Sequence, residues 1–172
     1  MTQTGADQDF NRSSRDYCGN HRRKSKGCFG DRLRPCNNHV YADENQAGIG
    51  DEVIQQGSFG GGSAPADTIG TLSDFEPIVF TTSANNTIDA AIALSPPGKL
   101  GNATPSDGYG TPRSETVAVN LNQQVQKYGR TTSLTAKGRI TGINATISIG
   151  YDTGTARFVN QIIVESRKPG FI

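Results

Sequence analysis

From Val40 onward the chain is a series of short apolar runs cut by Gly, Pro, Asn and Asp. Such runs, rich in β-branched residues, suit a pleated surface and predict strands. Asp51–Gln56 alternates apolar and polar positions and ends at a loop, Gly57–Ser63. Thr68–Phe80 reads as a strand interrupted near Pro77, and Thr87–Leu94 as a short apolar run with one acid inside it. Pro96–Pro112 is a Pro/Gly/Asn connection and the clearest candidate boundary. Gln124–Tyr128, Gly138–Tyr151 and Phe158–Glu165 follow, with Asp152-Thr153-Gly154 as a hairpin turn between the last two. No helix-period segment of convincing length is visible, although Ala42–Gln46 suits one helical turn after His39. The fold class expected is all-β, a barrel or sandwich.

Residues 1–36 break this pattern. No Ile or Val precedes Val40, and all three cysteines (Cys18, Cys28, Cys36) lie here. Eight Lys and Arg stand against four Asp and Glu, whereas residues 37–172 carry nine against twelve. A basic segment so poor in apolar residues buries little surface, and it reads as disordered or foreign to the fold. The split cancels to +1 for the whole chain, so overall charge makes no case for a nucleic-acid or membrane partner. No apolar run is long enough to cross a bilayer, and the N-terminus lacks the apolar stretch of a secretory signal. Without that signal the three Asn-x-Thr triplets at Asn85, Asn102 and Asn144 read as turns, and the cysteines as free thiols. The compartment stays unassigned.

Two residues carry candidate chemistry. His39, in Asn37-Asn38-His39-Val40, is of the residue type best suited to a general base near neutral pH. Asp89 sits among small and aliphatic residues, where a carboxylate is costly to bury without a partner. A carboxylate that orients a histidine occupies such a protected place. His before Asp, some fifty residues apart in an all-β chain, follows the His–Asp–Ser order of chymotrypsin-like proteases.

The motifs resemble one family. Asn38-His39-Val40-Tyr41-Ala42 is similar to the histidine motif of bacterial trypsin-like proteases, the NNHV-type group related to the plant narrow-leaf proteins. Ile88-Asp89-Ala90-Ala91-Ile92-Ala93 resembles their D-x-A-x-A motif. Gln126–Gly138 resembles the strand and turn that open the second barrel, and Val164–Gly170 the approach to the nucleophile loop. The resemblance implies an incomplete two-barrel (double Greek-key) chymotrypsin-like fold. Residues 1–36 would be the atypical segment, 37–110 a first barrel holding His39 and Asp89, and 111–172 a partial second barrel. It also implies a serine endopeptidase acting on peptide or protein substrates without metal or cofactor. Yet the 172 residues contain no Gly-Asp-Ser-Gly. Ser133 falls in the barrel-opening turn, and Ser58 and Ser63 in the Gly loop, where neither has the supported turn a nucleophile needs. The chain alone is therefore expected to be inactive.

Two rival classes remain in the sequence. A protease-like fold without its nucleophile can still bind peptides along strand edges. Alternatively, Cys18-x-x-His21 and Cys36-x-x-His39, with Cys28 between, have ligand-like spacing for structural zinc beside the basic run Arg22–Lys26. That pattern fits no standard finger and would claim His39 from the dyad. Gly57–Ser63 lacks the Lys and the following helix of a phosphate-binding loop.

Overall fold

A computed structural model describes residues 32–166 except 102, 130 and 131. Among the described residues it is an all-β protein of seven strands in two antiparallel sheets. The first sheet contains β1 (Arg32–Cys36), β2 (Glu52–Ile54), β3 (Thr68–Phe75) and β4 (Ala91–Ser95), in the order β1-β4-β3-β2. The second contains β5 (Gln124–Gly129), β6 (Ser133–Gly150) and β7 (Thr155–Ser166), in chain order. One four-residue helix, α1 (Asn38–Tyr41), leaves the end of β1. Neither sheet closes into a barrel among the described residues; β1 and β2 are the edges of one, β5 and β7 of the other.

The first core follows from strict alternation. In β4, Ala91, Ala93 and Ser95 point inward, and the Ser95 hydroxyl donates to the Ile69 carbonyl at 2.7 Å. The alanines leave room for Leu72, which lies opposite Ala93 and is 1% exposed. Val53, Ile69 and Ala42 complete the cluster. At Gly70 a Cβ would stand 2.4 Å from the Leu94 carbonyl oxygen, so β3 and β4 meet where only hydrogen fits.

Two expectations need correction. Arg32–Cys36, grouped by composition with the atypical segment, is a strand paired with Ala91–Ser95. Its Arg34 is buried, and its guanidinium donates to the Leu100 and Gly101 carbonyls at 2.9 and 3.1 Å. Those charge-assisted bonds hold in place a group that composition alone assigns to solvent. The remainder of the segment, residues 1–31, lies outside the described residues. Ala42–Gln46 is not a helical turn either. Asp43, Glu44 and Asn45 all have left-handed φ, so the chain reverses after α1 instead of extending it.

The stretch around Pro96–Pro112 is also more structured than a linker. Arg34 holds its first part, Thr104 and Gly110 close a loop through a 2.9 Å bond, and Tyr128 on β5 donates to Asp107.

The sheets meet along residues 76–90, between β3 and β4. Asn86 forms a parallel bridge with Phe158 on β7. Its side chain bonds the N–H and C=O of Val79, at 2.9 and 3.0 Å, and the Arg157 carbonyl at 3.0 Å. Ile78 from this seam packs with Ala156 and Phe158, and Phe80, Ile147, Ile149 and Tyr151 surround them as a second core. Register shifts in the β6–β7 ribbon between Ile140 and Ile147 bend it. The far half of the ribbon thereby lies against the seam.

Truncating the side chain that fills the first core should be costly. Leu72→Ala is expected to lower unfolding free energy by about 2–5 kcal/mol in urea melts. Val117→Ala, at a position 68% exposed, should change it by less than about 0.5 kcal/mol.

Candidate active site

The seam brings together the two residues singled out by sequence. His39 lies in α1, directly after β1, and Asp89 is two residues before β4. Because β1 and β4 are neighbours, residues fifty positions apart converge at one end of the sheet. The His39 Nδ1 faces Asp89 Oδ2 in a short hydrogen bond. The His39 backbone N–H donates to the other carboxylate oxygen, Oδ1, at 3.2 Å. The same residue thus engages both oxygens, and the carboxylate cannot turn without breaking one bond.

Asparagines brace both partners. Asn38, fully buried beside His39, donates from Nδ2 to the Glu76 carbonyl at 2.7 Å and to Asn45 Oδ1 at 2.8 Å. Asn45 in turn bonds both backbone groups of Ile78. Asn37 donates to the Asp89 carbonyl at 3.4 Å. The Asn-Asn-His run therefore ties α1 to both ends of the seam segment.

The third contributor comes from the other sheet. Tyr151, at the turn between β6 and β7, donates from its hydroxyl to Asp89 Oδ2 at 3.2 Å. Its ring lies 5.7 Å from the imidazole, tilted by 57°, and is held from behind by Phe80 and Phe158. The turn is clamped: the Glu44 carboxylate accepts the Asp152 and Thr153 N–H groups at 3.1 and 2.7 Å. Arg157 and Gln161 on β7 bond the Ala84 and Thr87 carbonyls of the seam. Sequence reasoning does not single out Tyr151. Its role depends on a hairpin tip folding back onto a residue sixty-two positions earlier; an aromatic beside a predicted turn is the only available sign.

Burial pushes the Asp89 carboxyl up, but the His39 hydrogen bond, the His39 charge and the His39 and Asn38 N–H groups outweigh it. The net effect holds Asp89 below its ordinary value, as an ionised acceptor. Such an acceptor fixes an imidazole tautomer, with the proton on Nδ1, and leaves proton exchange to Nε2.

Among the described residues no group of three or more His, Cys, Asp or Glu is placed to hold a metal ion. Cys36 is a free, half-buried thiol; Cys18, His21 and Cys28 of the zinc-like pattern lie outside the described residues. No helix among the described residues is long and apolar enough to cross a membrane. Compared with family models, curated proteins and solved structures, the chain has no match.

The depressed Asp89 carboxyl has a consequence for stability. A lowered folded-state value stabilises the fold above the ordinary carboxylate value of about 3.9, and this is lost as pH falls through the folded value. Wild type should therefore be more stable than Asp89→Asn at pH 6, and the difference should shrink below about pH 4. Urea melts of both proteins across this range check it.

Proposed function

We propose that this chain supplies the His–Asp half of a serine endopeptidase triad, with His39 as general base and Asp89 as its orienting carboxylate. The observation that carries the reading is the two-point bond between His39 and both oxygens of an ionised, half-buried Asp89. In this reading the two sheets are the halves of a chymotrypsin-like two-barrel architecture, with the dyad at the seam between them. The order of the motifs and the all-β class support it.

The chemistry follows from the geometry. A serine hydroxyl attacks the substrate carbonyl, forming the Oγ–C bond, while its proton passes to His39 Nε2. The imidazolium formed is stabilised by Asp89 through Nδ1–H. It then returns the proton to the leaving amine as the C–N bond breaks, and water hydrolyses the acyl-enzyme by the same proton route. The substrates are peptides or proteins. The serine and the oxyanion-binding amides would belong to a segment outside residues 1–172, which contain no Gly-Asp-Ser-Gly.

Fluorophosphonate labelling of the natural gene product, with whatever chain flanks these residues, tests this. One serine should label. His39→Ala should slow casein hydrolysis by about 10⁶-fold and Asp89→Asn by about 10⁴-fold. Residues 1–172 by themselves should hydrolyse casein no faster than buffer. An unlabelled gene product, or hydrolysis that survives His39→Ala, would sink the assignment.

A further inference from the structure

We propose that Tyr151 is a positioning residue for the dyad: its hydroxyl holds the Asp89 carboxylate in place against His39 from the opposite sheet. The inference rests on the dyad reading and adds a residue to it.

Three observations carry it. The Tyr151 hydroxyl donates to Oδ2, the same oxygen that faces His39 Nδ1, at 3.2 Å. Together with the His39 N–H on Oδ1, this bounds the carboxylate from the α1 side and from the β6–β7 turn. The Tyr151 ring also walls one side of the imidazole, limiting its rotation. Finally, the ring cannot drift. Phe80 packs edge-on at 5.5 Å, Phe158 stands behind at 6.3 Å, and the turn closes through a 2.8 Å bond from Tyr151 N–H to the Gly154 carbonyl. Glu44 fixes the next two residues. A tyrosine needed only for packing would not have to aim its hydroxyl at a carboxylate already bonded twice.

The arrangement makes the dyad a product of both sheets. His39 and Asp89 come from the first, but one of the donors on Asp89 comes from the second. Anything that moves the β6–β7 turn moves a hydrogen bond on Asp89.

The test is an NMR titration of the Asp89 carboxyl carbon in wild type, Tyr151→Phe and His39→Ala. A donor to the ionised form holds the carboxyl down, so removing it raises the midpoint. Tyr151→Phe keeps the ring and its contacts, so its melting temperature should stay close to wild type while the Asp89 midpoint moves up. Lost packing by itself would lower the melt and leave that midpoint in place. His39→Ala should also raise it. If His39→Ala raises the midpoint and Tyr151→Phe does not, the role of Tyr151 is overturned and the dyad stands. If His39→Ala leaves the midpoint unchanged, the dyad reading falls, and the role of Tyr151 falls with it.

Discussion

The pairing of Asn86 with β7 is the constraint on which the rest of the molecule depends. Its backbone bridges Phe158 and its amide satisfies three further backbone groups, so one buried residue fixes the seam segment against the second sheet. An apolar residue there could fill the space but would leave the Val79 N–H without its acceptor, which costs more than the packing returns. With the segment fixed, Ile78 reaches the second core and Asp89 is delivered to the start of β4 facing His39. The site is thus held by backbone-satisfying amides rather than by a large hydrophobic interface, in keeping with a chain only 33% hydrophobic.

The parts of the fold that were legible in the sequence are those decided locally. Alternation and punctuation locate β2, β3 and the β6–β7 hairpin, because a strand's period and a turn's residues are properties of a few adjacent positions. Asp89 was legible for another reason, since a carboxylate set among small apolar residues requires a partner, and His39 because an imidazole is the residue type suited to a general base. The opaque parts depend on distant chain. Arg34 looks solvated until Leu100 and Gly101 fold over it. Asn86 reads as a turn residue until β7 arrives, and Tyr151 as part of a strand end. Ala42–Gln46 has helix-like composition, but Asn45 must turn back to reach Ile78, and that demand overrides propensity.

The zinc-like and dyad readings of His39 compete for the same imidazole. In the described structure Nδ1 is committed to a carboxylate whose own backbone neighbourhood is organised around that bond. A histidine in such a setting has its tautomer chosen by its partner.

The β1–β4 pairing also bears on the order of assembly. Arg32–Cys36 finds its partner some sixty residues later, at Ala91–Ser95, and the hairpin turn that completes the site comes sixty residues after that. Contacts so far apart in sequence pay their loop-closure entropy before they gain stability, so such topologies form slowly. During synthesis Asp89 follows His39 by fifty residues, and Tyr151 follows Asp89 by sixty-two. The cluster of His39, Asp89 and Tyr151 is therefore a late product of folding.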